Sequence, residues 1–226
     1  MSLVVTTVSG GLDSVTLAHC LAAEGHDLVC LSFDYGQRHA KELAFARACA
    51  DRIGADHHVV DLRSVGELLT GSALTDRSVA VPEGHYTAAS MAATVVPNRN
   101  AIMLSIAIGV ATARRADAVA TAVHAGDHAI YPDCRPAFID AIEREARIGN
   151  EGFVIEGFRV LAPFLDQTKD EIVRRGAAVG VPFAETWSCY AGGEAHCGRC
   201  GTCVERREAF ELAGVADPTA YEAVTG

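Results

Sequence analysis

The stretch VSGGLDSV, Val8 to Val15, decides the fold. It follows an apolar run, Leu3-Val4-Val5-Thr6-Thr7, and leads into a helical pattern over Leu12 to Ala23, with apolar residues at Leu12, Val15, Cys20 and Leu21. A buried strand, a glycine turn and a helix N-terminus together make an anion site. The glycines let backbone amides approach closely, and the helix end carries partial positive charge. Ser9 and Ser14 add hydroxyl donors, whereas Asp13 repels phosphate unless it holds magnesium or caps the helix. A P-loop would need a lysine directly after the glycines, and none follows. Lysine occurs in this chain only at Lys41 and Lys169.

Outward from this turn, strand and helix patterns alternate. Strands are expected over Leu3–Val8, Leu28–Phe33, His58–Leu62, Ala118–Val123 and Val154–Leu161. Helices are expected over Leu12–Ala23, His39–Ile53, Ala101–Ala113 with Asn100 as N-cap, Pro136–Ile148, Thr168–Gly180 and Val204–Leu212. Right-handed crossovers then build a parallel sheet of about five strands with helices on both faces, an α/β Rossmann-like fold. Residues 71 to 99 interrupt the rhythm, as a functional loop does. The 226 residues, half of them hydrophobic, suffice for one α/β domain and a small appendage. The expected division is 1–186 for the nucleotide domain and 187–226 for the appendage.

A formal net charge of −10 argues against a broad electrostatic grip on nucleic acid. Neither a membrane span nor a secretion signal is legible, so a cytoplasmic protein is expected. Of the eight cysteines, four crowd into CYAGGEAHCGRCGTC, as Cys189, Cys197, Cys200 and Cys203. In a reducing compartment such clustering reads as metal ligation, and four thiolates suit a closed, structural tetrahedral zinc site. An iron–sulfur cluster uses the same ligands, and His196 is an alternative ligand.

The SGGLDS turn resembles the pyrophosphate-binding loop of the PP-loop ATP pyrophosphatases. That resemblance implies an adenine nucleotide alpha hydrolase-like fold, with ATP and magnesium held by Val8, Ser9, Gly10, Gly11, Leu12, Asp13 and Ser14. Members adenylate a substrate oxygen and release pyrophosphate. The cation that a P-loop would carry must then come from elsewhere, and Lys169, in LDQTKDEIV, is the candidate.

LSFDYGQRHAKELAFA (31–46), VVPNRNAIMLSIA (95–107) and YPDCRPAFIDA (131–141), with the turn and the cysteines, resemble the 7-cyano-7-deazaguanine synthase family of the queuosine pathway. The resemblance implies an ATP-dependent carbon–nitrogen ligase that turns 7-carboxy-7-deazaguanine and ammonia into the nitrile through an amide. It assigns substrate contacts to Tyr35, Gln37, Arg38, Asn98, Arg99, Asn100, Asp133 and Arg135, and zinc to the four cysteines. Asp13, Lys169 and Arg99 are the expected catalytic residues; a buried Asp133 would bind the guanine-like edge. A homodimer acting on small molecules, without direct nucleic-acid or membrane contact, is expected. HAGDHAI (124–130) departs from the family pattern, so His124, Asp127 and His128 receive no family role. Two alternatives are a tRNA-thiolating PP-loop enzyme, with Cys134 as its nucleophile, and a non-catalytic nucleotide- and zinc-binding module.

Overall fold

A computed structural model describes residues 2–85 and 91–223. Five strands form one sheet: β1 (Leu3–Thr7), β2 (Asp27–Asp34), β3 (Asp56–Asp61), β4 (Ala118–Ala120) and β5 (Arg159–Leu161). Their order is β3-β2-β1-β4-β5, and every neighbouring pair is parallel. The chain winds outward from β1 to β3, then crosses back to place β4 beside β1. The winding direction therefore reverses between β1 and β4, where open α/β sheets collect ligands beyond their strand ends.

The helices that lie wholly within the described residues are α1 (Leu12–Ala23), α2 (Glu42–Ile53), the single turn α3 (Arg63–Gly66), α4 (Arg99–Arg114), α5 (Pro136–Gly149), α6 (Lys169–Ala178) and α7 (Gly201–Ala213). Successive strand residues face opposite sides, which is why β1 has no polar face to show. Val4 joins a core with Leu12, Leu17, Ile172 and Phe210; Val5 joins another with Leu31, Leu104, Ile139 and Phe158.

Several boundaries differ from those the sequence suggests. β4 stops at Ala120; Thr121 N–H still donates to Leu161 O at 2.9 Å, and Thr121, Ala122 and Val123 line the cavity above it. β5 is confined to Arg159–Leu161; Val154 and Ile155 pack on the core from irregular backbone. Asn98, in the left-handed region at φ 57°, is the N-cap of α4. Asn100 instead lies inside the first turn, where its amide donates to Asp133 Oδ2 at 3.3 Å. Thr168 caps α6 through a capping box with Glu171. The long segment after α3 crosses the molecule: Ala73 N–H donates to Ala93 O, and Gly84 N–H to Arg199 O. Residues 86–90 of that segment lie outside the described residues. No helix among the described residues is long and apolar enough to cross a membrane.

Candidate active site

The glycine turn sits at the C-terminal end of β1, on the rim of a cavity that the β4 end shares. Gly10 has φ +91°, and a Cβ there would lie 2.1 Å from Glu42 O and 2.8 Å from Ala46 N. The turn is thus pressed against the first turn of α2, a contact only glycine permits. Gly10 O also accepts from Trp187 N–H at 2.8 Å, which ties the turn to the segment before the cysteines. Ser14 Oγ accepts from Ser9 N–H at 3.1 Å, and Ser9 Oγ from Gly11 N–H at 3.2 Å. Gly11 itself is extended (φ −74°, ψ 165°), and α1 has no side-chain N-cap. Its first amides take no side-chain acceptor, the arrangement an anion site needs.

Lys169 reaches the glycine turn from α6. Its ammonium, at the first position of α6, lies 3.0 Å from Asp13 Oδ2 and 2.8 Å from Glu205 Oε2. Burial opposes its charge, but the Asp13, Glu205 and Asp127 carboxylates outweigh that and hold its pKa well above the ordinary lysine value. For Asp13 burial acts upward, yet Lys169, His124 and Arg206 bring its pKa below the usual carboxylate value. Asp13 Oδ1 is buried and has no hydrogen-bond partner among the described residues. HAGDHAI forms a short 3₁₀ turn. His124 Nδ1 accepts from Gly126 N–H at 3.1 Å, which leaves Nε2 3.4 Å from Lys169 Nζ.

The opposite wall is aromatic. Arg99 donates to Tyr35 Oη at 3.3 Å, and Tyr35, Tyr131 and Tyr190 all line the cavity with it. Burial works against the Arg99 charge, but Tyr35 and Tyr190 raise its pKa further still. No carboxylate among the described residues pairs with this guanidinium within salt-bridge distance. Glu42 also lines this wall.

Not every residue singled out from sequence reaches the cavity. Gln37 is buried and structural: it accepts from Tyr35 N–H at 3.0 Å and donates to Phe33 O at 3.0 Å and Glu42 Oε1 at 3.1 Å. Arg38 pins the long segment by donating to Asp76 O and Val79 O, both at 3.0 Å. Arg135 is exposed and donates to His128 O at 2.7 Å. Asp133 is half-exposed, contrary to the expectation of burial, because its carboxylate turns to the α4 N-terminus. It does not line the cavity, and neither does Asn98; Asn100 does. Glu42, Trp187, Tyr190 and Glu205 receive no role from the sequence, although Glu42 and Tyr190 lie within the quoted stretches, and they meet at the cavity only through the fold.

Cys189, Cys197, Cys200 and Cys203 are all buried, and their sulfur atoms lie within 4.8 Å of one another. Backbone amides point at sulfur: Cys197 N–H to Cys189 Sγ at 3.3 Å and Cys200 N–H to Cys197 Sγ at 3.2 Å. Such a set could hold a metal ion. His196 instead accepts from Ser188 N–H through Nε2 at 3.1 Å and is not one of the cluster.

A five-stranded parallel sheet with an anion turn at its switch point, and no P-loop lysine, defines a PP-loop, adenine nucleotide alpha hydrolase-like protein. Solved structures of the same fold include the U34-tRNA thiolase NcsA of Methanococcus maripaludis. It has TM-score 0.51 and 14% identity, over 100% of this chain and 76% of that one. The NMN synthetase of Francisella tularensis has TM-score 0.51 and 13% identity, over 95% and 78%. At that identity they speak for the fold alone. The chain belongs to the QueC family: the sequence model described as "Queuosine biosynthesis protein QueC" matches residues 3–214. The 7-cyano-7-deazaguanine synthases of Rhizobium johnstonii and Rhizobium meliloti are each 62% identical to it over 218 residues, 96% of this chain and 91% of theirs.

Proposed function

We propose that this protein is an ATP-dependent 7-cyano-7-deazaguanine synthase, converting 7-carboxy-7-deazaguanine and ammonia to the nitrile through an amide. Beyond the family itself, one observation carries the mechanism: Lys169 meets Asp13 of the anion turn from the far side of the sheet's switch point. The amides at the start of α1, with the Ser9 and Ser14 hydroxyls, would hold the leaving pyrophosphate. Lys169 would neutralise charge that grows on the phosphates as the α-phosphorus is attacked. The orphaned Oδ1 of Asp13 fits a magnesium ligand, and magnesium there would offset pyrophosphate charge. Arg99, unpaired by any described carboxylate, suits the substrate carboxylate, and the tyrosine wall suits a flat heterocycle.

Adenylation turns a carboxylate oxygen, and later an amide oxygen, into part of a good leaving group. Ammonia displaces the first AMP; loss of protons from nitrogen expels the second. The four thiolates would hold one zinc ion with no open position, giving residues 187–226 a structural role beside a nucleotide domain of 1–186. We take the substrates to be small molecules handled by a homodimer in the cytoplasm, without direct nucleic-acid contact. The thiolation reading needs a nucleophilic Cys134, but burial pushes that thiol's pKa up, and Asp127 and Asp133 push it further.

Oxygen tracing tests the reading. With ¹⁸O in the substrate carboxylate, ATP should split to AMP and pyrophosphate and the label should end in AMP. Label in free phosphate, with ADP formed, would mean γ-phosphoryl activation and would overturn it.

A further inference from the structure

Nitrile formation makes a chemical demand that neither Lys169 nor Arg99 meets. When ammonia displaces AMP from the acyl adenylate, the nitrogen is briefly cationic and loses a proton readily, even to water. The second half differs. Once the amide oxygen is bonded to the α-phosphorus, nitrogen must give up its last proton. That N–H electron pair becomes the third C–N bond, the C–O bond breaks, and AMP leaves with its electrons. A neutral imidate N–H is a weak acid, so this step needs a placed base.

The cavity is lined by four carboxyl side chains among the described residues: Asp13, Glu42, Asp127 and Glu205. Asp13 and Glu205 are held by Lys169 at 3.0 and 2.8 Å. Asp127 Oδ2 accepts from His124 N–H at 3.3 Å and faces His124 Nε2 at 3.6 Å. His124 accepts at Nδ1 from Gly126 N–H, so its other nitrogen carries the ring proton and has no lone pair to offer. Cys134 keeps its proton.

Glu42, like Asp127, has no lysine or arginine within salt-bridge distance among the described residues, and it is the more buried of the two. Its Oε1 is fixed by Gln37 Nε2 at 3.1 Å, with His39 Nε2 at 3.5 Å; its Oε2 has no hydrogen-bond partner among the described residues. The groups facing it are His39 from the preceding turn, Tyr35 beyond β2 and Arg99 from α4. Burial chiefly, and then the Arg99 and Arg38 cations, push His39 down to about 3, so it stays neutral, with the Tyr190 ring tilted against it at 5.1 Å. Glu42 also stands on the first turn of α2, whose backbone touches Gly10. Glu42 and the glycine turn line the same cavity.

We propose that Glu42 is the catalytic base that takes the nitrogen proton as AMP leaves and the nitrile forms. The proposal rests on the reading given above. Burial, opposed by the Gln37 hydrogen bond and by Arg99, raises the Glu42 pKa to about 8, which matches it to a weakly acidic N–H near neutral pH.

The test supplies the amide and ATP, with no ammonia, beside a second arm with the acid, ammonium and ATP. Glu42→Gln should lower kcat for amide to nitrile by at least ~100-fold with little change in KM. That fall should exceed the fall in acid-to-amide turnover by at least ~30-fold, so that amide accumulates. The wild-type amide reaction should speed up as pH rises through about 8, and Glu42→Gln should lose that limb. Glu42→Asp should recover part of the rate. Amide turnover by Glu42→Gln within about threefold of wild type, an equal fall in both arms, or a raised KM with unchanged kcat would each overturn the assignment. Wild-type protein that forms no AMP from either substrate would instead sink the underlying reading.

Discussion

At Gly10 the residue's lack of a side chain is decisive. Gly10→Ala would combine a left-handed φ with a Cβ 2.1 Å from a backbone oxygen that cannot move without shifting α2. The expected cost is on the order of 3 kcal/mol, seen as a lower urea midpoint at unchanged m. Gly11→Ala should be milder, because its φ is ordinary and its nearest neighbour is the Ser9 hydroxyl at 3.2 Å, which can rotate. Lys169 presents the complementary case, in which a side chain is indispensable. Lys169→Ala should cut kcat by roughly 10²–10³-fold, and Lys169→Arg should not restore it, because a planar fork does not fill the place of a compact ammonium between Asp13 and Glu205. Steady-state kinetics on ATP and the acid decide this; a kcat within threefold of wild type would remove Lys169 from the mechanism. Lysine scarcity made Lys169 legible in the sequence. Glu205 and Glu42 were not, since each is one glutamate among many until the fold aims it at the cavity.

At the scale of elements, the cysteine cluster does more than close the C-terminus. Cys200 is the N-cap of α7 and Cys203 lies in its first turn, so an ion held by the four thiolates would fix where that helix begins and how it is rotated. About one turn further along, Glu205 reaches Lys169. Arg206, fully buried, donates to Phe183 O at 2.9 Å and Thr186 Oγ1 at 2.8 Å, and so joins α7 to the chain leading into Trp187. Metal loss should therefore be felt at the anion turn. Cys203→Ser should lower zinc content from one per chain, lower Tm and depress AMP formation, because metal-binding free energy is folding free energy here. Elemental analysis and thermal melts check this; full AMP formation by a zinc-free protein would break the link. Sequence placed this helix at Val204 because the Cys-Gly-rich run looks like loop, whereas the thiols start the helix earlier. The strands erred the other way: the apolar runs of β4 and β5 continue past the ladder to pack the core and line the cavity. Periodicity reports burial and not hydrogen bonding, so it cannot mark where pairing stops.

For the whole molecule, the doubly wound topology explains why a site assembled from seven separate stretches was partly readable. SGGLDS, at the end of β1, and NRN, at the start of α4, converge because a parallel sheet puts its strand C-termini and the N-termini of its crossover helices at one edge. The arrangement also concentrates an unfavourable term there, since Glu42 is buried with no lysine or arginine within salt-bridge distance among the described residues. Its folded pKa of about 8 lies above the ordinary glutamate value of 4.5. Below 4.5 the carboxyl is protonated in both folded and unfolded chains, and it makes no pH-dependent difference. Between 4.5 and about 8 the unfolded chain has released the proton while the folded one keeps it, so stability falls as pH rises. Above about 8 both forms are ionised and the loss is complete. Glutamine keeps the shape and has no proton to lose. Glu42→Gln should therefore melt higher than wild type, with a difference that grows from pH 5 to pH 8 and then levels off, even as nitrile formation collapses. Melting temperatures across that range, read beside the rates, check it. A difference that stays flat with pH would mean that Glu42 titrates as an ordinary carboxylate, and would take away the physical reason for holding it at this point in the cavity.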